Sequence, residues 1–262
     1  MQNNTAINTE EDISNVIELE VVDGKLNKKE KVKYNKDGTI CKIENHKQAG
    51  KSSEVYAFKD KEEIKNMIAV FDKHIEEATD DNKKQIAYRN KLLFLVGLNV
   101  GIRASDLRTL KWSFFLKDDG TFKEFYTLQP MKQKYKFVKL YFNNTVKKAI
   151  KDYLKLYPVD NYDNYMFTSR KGNKPIVVSS LWRIICDTAS EAGIEQNIGS
   201  HSLRKSWGYW CWHNAEDKTK ALVALQKCFG HSSTQVTLRY IGLLDEELAE
   251  MYYSVELGLD FI

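Results

Sequence analysis

The first residues that could do chemistry lie in the segment FGHSSTQVTLRYIG, residues 229–242. His231 follows a glycine there, and Tyr240 comes nine positions after this histidine. A phenol is a good nucleophile only when other groups activate it, because its ordinary pKa is near 10. A tyrosine near a helix end is more often a packing residue, so the role of Tyr240 depends on what else the chain brings beside it.

A histidine and an arginine stand three residues apart in HSLRKSW, residues 201–207. At this spacing His201 and Arg204 lie on one face of a helix and can contact a common ligand. They fall at the predicted start of that helix, where free N–H groups and the helix dipole attract an anion. The pair indicates an anion site, although the same spacing also arises by chance.

Arg103 lies directly after an apolar segment that glycines interrupt, in VGLNVGIRASDLRTLKW, residues 96–112. A permanent charge held against the core at a sharp turn needs a partner. A phosphate would serve, which makes Arg103 a second candidate for anion binding. Asp106 would serve equally well, which makes the arginine structural, and the segment alone leaves both interpretations open.

Four lysines cluster in the predicted hairpin MKQKYKFVK, namely Lys132, Lys134, Lys136 and Lys139. Most of them are expected to be solvated or to contact a phosphate backbone. A lysine at the turn can instead project into a groove, where an ammonium group near other cations is a competent acid.

The elements around these residues predict an α+β fold that is mainly α-helical. Residues 18–58 alternate apolar and polar positions around Asp-Gly pairs, which predicts one or two β-hairpins. The remainder has helical periodicity, except for a strand predicted around KWSFFL and a small antiparallel sheet formed by EFYTLQP and KFVKLYF. Gly230 is expected to end one helix, and Ser232 or Ser233 to cap the helix that carries Tyr240.

Charge is separated along the chain. Residues 1–20 hold five acidic residues and no Lys or Arg, and residues 241–262 hold six and again none. The overall charge of +4 therefore corresponds to +15 for residues 21–240. A basic body with acidic ends indicates a polyanionic partner such as nucleic acid, with a solvated lysine-rich surface as the alternative.

Several other classes of protein are disfavoured. No stretch reaches the ~20 apolar residues of a membrane helix, and the N-terminus lacks the features of a signal peptide, so a cytoplasmic protein without a membrane partner is expected. The four cysteines stand far apart, which argues against a disulfide framework. Cys211 and His213 alone are too few ligands for a structural zinc site.

The order of these segments resembles that of the tyrosine recombinases, the phage integrase family, over residues 57–262. GLNVGIRASDLRTLKW is similar to the first arginine box of the family, HSLRKSW to its His-x-x-Arg box and FGHSSTQVTLRYIG to its final Gly-His … Tyr box. The resemblance implies a tyrosine-recombinase-like catalytic domain that cleaves and rejoins DNA through a 3′-phosphotyrosyl link, without metal or ATP. The residues to which it assigns catalytic roles are Arg103, Lys132, His201, Arg204, His231 and Tyr240.

Within that set the resemblance gives each residue a task. Tyr240 would attack the phosphate, the two arginines would hold its non-bridging oxygens, and Lys132 would protonate the leaving 5′-oxygen, with Lys134 as the alternative acid. His201 would manage the tyrosine proton, and His231 would hydrogen-bond the phosphate.

The resemblance also predicts partners and domain organisation. Residues 1–56 would form an N-terminal tail with a hairpin and linker, where the family usually has a helical domain that helps to clamp DNA. Double-stranded DNA is the expected partner, with a homotetramer on DNA assembled through the amphipathic helix predicted in LLDEELAEMYYSV. A type IB topoisomerase-like enzyme and a non-catalytic DNA-binding protein of the same fold remain the alternatives.

Overall fold

The structure, a computed structural model, divides the chain into two units, Met1–Ser53 and Glu54–Ile262. It describes four short strands within residues 19–41 of the first unit and residues 54–132, 137–170, 172–243 and 254 of the second. Lys134, residues 1–17 and most of the predicted helix LLDEELAEMYYSV lie outside the described residues.

The first unit contains two antiparallel pairs of strands. Strand β1 (Leu19–Val22) pairs with β2 (Lys25–Lys28), and β3 (Lys33–Tyr34) pairs with β4 (Ile40–Cys41). The hairpins that the alternating pattern predicts are therefore present.

The described part of the second unit is mainly helical with one two-stranded sheet, as the sequence predicts. Its helices are α1 (Lys61–Glu76), α2 (Asp81–Val100), α3 (Ala104–Leu107), α4 (Asn144–Leu156), α5 (Val178–Glu191), α6 (Ser200–His213), α7 (Lys218–Phe229) and α8 (Thr234–Ile241). Its strands are β5 (Phe125–Leu128) and β6 (Val138–Tyr141), paired antiparallel with Phe125 opposite Tyr141.

Helix boundaries follow the local chemistry of the sequence. The side chain of Asp80 accepts a hydrogen bond from the N–H of Lys83 at the start of α2, and Ser233 does the same for Val236 at the start of α8. Gly230 ends α7 with a φ of 75°, in the left-handed region that favours glycine. The predicted helix end at Gly230 and the predicted serine cap of the next helix are both confirmed. His231 therefore lies in the short turn between α7 and α8.

Two hydrophobic clusters support the second unit. The larger one joins α1, α2, α4, α5 and α6 around fully buried side chains such as Phe58, Phe71 and Phe94. The smaller one consists of Leu225, Phe229, Ile241 and Leu243, with Trp207, Tyr209 and Trp212 of α6 packed against it. The tryptophan-rich helix α6 therefore bridges the two clusters, and it fixes α7 and α8 against the rest of the unit.

The prediction of a strand around KWSFFL is wrong. Residues Trp112–Phe114 form a 3-10 turn, flanked by single β-bridges from Lys111 to Tyr165 and from Leu116 to Phe122. Burial explains the difference, because Trp112, Phe115 and Leu116 all lie in the core while Phe114 is only partly buried. A strand would have alternated these side chains between its two faces.

No helix among the described residues is long and apolar enough to cross a membrane.

Candidate active site

A tight turn at the end of α2 connects the two arginines. Gly101 ends the helix with a φ of 63°, and a Cβ placed there would lie 2.2 Å from Cδ2 of Trp207. The guanidinium of Arg204 donates a hydrogen bond to the carbonyl oxygen of Gly101. Arg103 follows two residues later as the N-cap residue of α3. The turn therefore places Arg103 beside Arg204, although they are far apart in sequence.

Arg204 is the most buried charge of the candidate set, with 7% of its surface exposed. Its guanidinium carbon lies 4.5 Å from the ring centre of Phe229. Burial is the main effect that lowers the pKa of Arg204, and Arg103 lowers it further. Tyr240 and Asp106 act in the opposite direction. A buried guanidinium remains charged, so the site is pre-organised to receive an anion.

His201 is the second residue of the same helix, one turn before Arg204, and it is exposed. Desolvation lowers the pKa of His201 most, followed by the cations Arg204 and Lys132. The neutral form of the imidazole, which can accept a proton, is therefore favoured in the folded protein.

Lys132 lies close enough to His201 for its charge to lower the pKa of the histidine. The carboxylate of Asp106 accepts a hydrogen bond from the backbone N–H of Met131 at 2.9 Å, directly before Lys132. Asp106 itself is buried in α3. Asp106, which the sequence suggested as a partner for Arg103, thus holds the backbone directly before Lys132.

His231 is oriented by the helix that follows it. Its Nδ1 lies 3.0 Å from Oγ1 of Thr237, whose hydroxyl can donate either to this nitrogen or to the carbonyl oxygen of Ser233. Desolvation lowers the pKa of His231 most, and Arg204 and Arg103 lower it further. With Nδ1 occupied by the threonine, Nε2 is the ring nitrogen available for a ligand.

Tyr240 completes the cluster from the last turn of α8. Its ring centre lies 5.0 Å from that of His231 and 5.1 Å from that of Phe229. Burial raises the pKa of the phenol, whereas the charges of Arg204 and Arg103 and a side-chain hydrogen bond with Arg204 lower it. The cationic groups thus oppose the cost of forming a phenolate in a largely buried place.

A cavity of about 370 Å³ opens between the α2–α3 turn and strand β6. Arg103, Arg204 and Asp106 contribute to its wall, together with Lys139 and Trp207. Its volume is within the usual range of ligand sites. Among the residues that the structure describes, no three His, Cys, Asp or Glu side chains are grouped so that they could hold a metal ion.

Sequence reasoning missed two residues of this cluster. Lys205 is buried, forms an ion pair with Glu54 and lies over the ring of Tyr240. Lys205 stands directly after Arg204 and four residues beyond His201, and this spacing could have indicated that it lies near the site. The contact of Thr237 with His231 had no comparable signal, since it depends on how the turn between α7 and α8 folds.

Comparisons with known proteins agree on one family. Residues 58–247 match the sequence model of the phage integrase family. The probable integrase/recombinase YoeC of Bacillus subtilis (strain 168) is 33% identical over 187 residues, which cover 70% of this chain and 94% of that protein. The tyrosine recombinase XerD of Oceanobacillus iheyensis is 25% identical over 65% of this chain and 55% of its own length.

Solved structures show the same fold. The XerA recombinase superposes with a TM-score of 0.54 at 23% identity, over 78% of this chain and 64% of that chain. The XerH site-specific recombinase, bound to a palindromic difH substrate in a post-cleavage complex, superposes with a TM-score of 0.53 at 20% identity. The match covers 77% of this chain and 55% of that chain. The chain thus spans about half to two thirds of the XerD, XerA and XerH chains.

Proposed function

This chain belongs to the phage integrase family, and on that premise we propose that it is a site-specific DNA recombinase that cuts and rejoins DNA through a 3′-phosphotyrosyl intermediate. The observation that supports the assignment is the convergence of three distant segments. The charges of Arg103 and Arg204 act on the pKa of both His231 and Tyr240, and the ring centres of His231 and Tyr240 lie 5.0 Å apart.

The two arginines bind the scissile phosphate in this proposal. Their planar guanidinium groups each donate to a non-bridging oxygen and stabilise the extra charge of the pentacoordinate transition state. In the tautomer whose Nδ1 accepts from the hydroxyl of Thr237, Nε2–H of His231 donates a further hydrogen bond to the phosphate. The buried setting of Arg204 strengthens these interactions, because little water competes for the guanidinium.

Tyr240 is the nucleophile. Its phenolic oxygen forms a bond to phosphorus while the bond to the 5′-oxygen breaks, which leaves a 3′-phosphotyrosine and a free 5′-hydroxyl. Neutral His201 accepts the phenolic proton, and Lys132 donates a proton to the departing oxygen. Religation is the reverse reaction with a 5′-hydroxyl of the same or another strand, and the bond energy stays in the phosphotyrosine.

Double-stranded DNA is the proposed partner, and the tetramer is a proposal for the assembly. The structural relative XerH is described in complex with a difH substrate, and its fold is that of this chain. Exchange between two duplexes requires two cleavages in each, hence four copies of Tyr240. The net positive charge of residues 21–240 supports contact with the phosphate backbone.

The test is covalent capture on a nicked suicide duplex made from the ends of the mobile genetic element that, in this proposal, carries the gene for the protein. The wild type is expected to form an adduct linked to a 3′-phosphate, and Tyr240→Phe to form none. Tyr165→Phe is the matched control, since Tyr165 lies in the bridge to Lys111 outside the candidate site. An adduct that persists in Tyr240→Phe, or its absence from the wild type on every end, would refute the proposal. Joining of two DNA sites would then indicate a recombinase, whereas relaxation of a plasmid without joining would indicate a topoisomerase.

A further inference from the structure

Residues 54–59, EVYAFK, form a segment without helix or strand that is attached to α6 and to the loop before it. We call this segment the strap. Asn197 donates a hydrogen bond from its side chain to the carbonyl oxygen of Glu54 at 2.8 Å. The N–H of Phe58 donates to Oγ of Ser206 at 2.7 Å, and Nε1 of Trp210 donates to the carbonyl oxygen of Phe58 at 2.9 Å. These bonds place the strap firmly along the helix that carries Arg204.

One end of the strap contacts the environment of the proposed nucleophile through Lys205. Nζ of Lys205 lies 2.7 Å from Oε1 of Glu54 and 5.4 Å from the ring centre of Tyr240. The lysine side chain is 8% exposed, whereas that of Glu54 is 49% exposed. A buried ammonium requires a partner, and Glu54 supplies the carboxylate. The strap thus stabilises a cation that packs against the phenol ring.

The other end of the strap contacts the tyrosine helix itself. Nζ of Lys59 donates to the carbonyl oxygen of Gly242 at 2.7 Å, at the residue that ends α8 and lies two positions after Tyr240. A cation at a helix C-terminus interacts favourably with the helix dipole and with the free carbonyl groups. Helix α8 has only eight residues, so its position depends on tertiary contacts of this kind.

We infer that the strap positions the nucleophile: Lys59 holds the end of α8, and Glu54 with Lys205 holds the side of the Tyr240 ring. The inference rests on the proposed role of Tyr240 and extends it to residues that do not touch the phosphate. Attack on phosphorus is sensitive to the distance and angle of the phenolic oxygen, so a small displacement of α8 slows the reaction. Lys59 and Lys205 are therefore positioning residues.

The kinetic test compares single-turnover adduct formation on the suicide duplex at saturating DNA. Lys59→Met is expected to lower the maximal rate about tenfold, as for loss of a charge-assisted hydrogen bond, while the dissociation constant for DNA stays within about twofold. Lys59→Arg restores most of the rate, since it keeps a cationic donor. Lys65→Met is the control, because Lys65 is exposed and pairs with Glu62 inside α1. A wild-type rate for Lys59→Met, or a loss that lies wholly in DNA affinity, would refute the inference.

A second readout does not depend on catalysis. Hydrogen exchange of the amides at the end of α8 is expected to be faster in Lys59→Met than in the wild type, while those of α5 are unchanged and the thermal unfolding remains cooperative. Equal exchange in both proteins would overturn the role of the strap even if the wild type cleaved no DNA. Failure of the wild type to form an adduct, by contrast, would count against the proposed function alone.

Discussion

The contact between Thr237 and His231 leads to a prediction whose size follows from the structure. Thr237→Val keeps the shape of a fully buried side chain and removes the hydroxyl that lies 3.0 Å from Nδ1 of His231. The carbonyl oxygen of Ser233 keeps its hydrogen bond from the N–H of residue 237, so one hydrogen bond to the histidine is the main loss. Such a bond contributes about 0.5–1.5 kcal/mol, which corresponds to a factor of about 2 to 13 in rate if the whole effect acts on the transition state.

The assay is single-turnover adduct formation at saturating DNA, in a double-mutant cycle with His231→Ala. Thr237→Val is expected to lower the rate of the otherwise wild-type protein by that factor. It should have little further effect in the His231→Ala background, because the threonine acts on the rate through the histidine. Thr237→Ser keeps the hydroxyl and is expected to retain most of the rate. An equal effect of Thr237→Val with and without His231 would show that the threonine acts on α8 as a whole, and the reasoning would be refuted.

Three further predictions concern stability, pH and thiol reactivity. Gly101→Ala is expected to destabilise the fold by about 2–5 kcal/mol in urea unfolding, because it adds backbone strain and a clash with Trp207, whereas Gly193→Ala, with a φ of 72° and open space around it, should cost only about 1 kcal/mol. Because the pKa of His201 is lowered from the ordinary 6.5, the loss of adduct formation on acidification should have its midpoint below pH 6.5; a midpoint above pH 6.5 would contradict this. Burial raises the pKa of the Cys186 thiol from an ordinary 9.0 to about 11. Alkylation of this thiol at pH 8, followed by mass spectrometry, should therefore be about a hundredfold slower in the folded than in the unfolded protein.

Much of the architecture was predictable because it depends on contacts close in sequence. The end of α7 follows from Gly230 and the start of α8 from Ser233, and the shared helical face of His201 and Arg204 follows from their spacing. The fold class and the family are confirmed by the described elements and by the match over residues 58–247. The catalytic roles of the six candidate residues stay predictions, which the adduct assays test.

The errors and omissions have one physical cause, which is competition between local preference and distant packing. KWSFFL has a composition typical of strands, yet burying Trp112, Phe115 and Leu116 together requires a turn. Asp106 stands three residues from Arg103, and the folded chain brings the backbone of Met131 to it across twenty-five positions.

The sequence by itself determined which residues of this protein could do chemistry and on which helices they stand, because residue type and periodicity are local properties. Only the tertiary structure decided how those residues are held. Lys59 reaches Gly242 across 183 positions, and Glu54 reaches Lys205 across 151. Such contacts form where the hydrophobic clusters bring the strap, α6 and α8 together. No pattern along the sequence predicts which of these residues will be in contact.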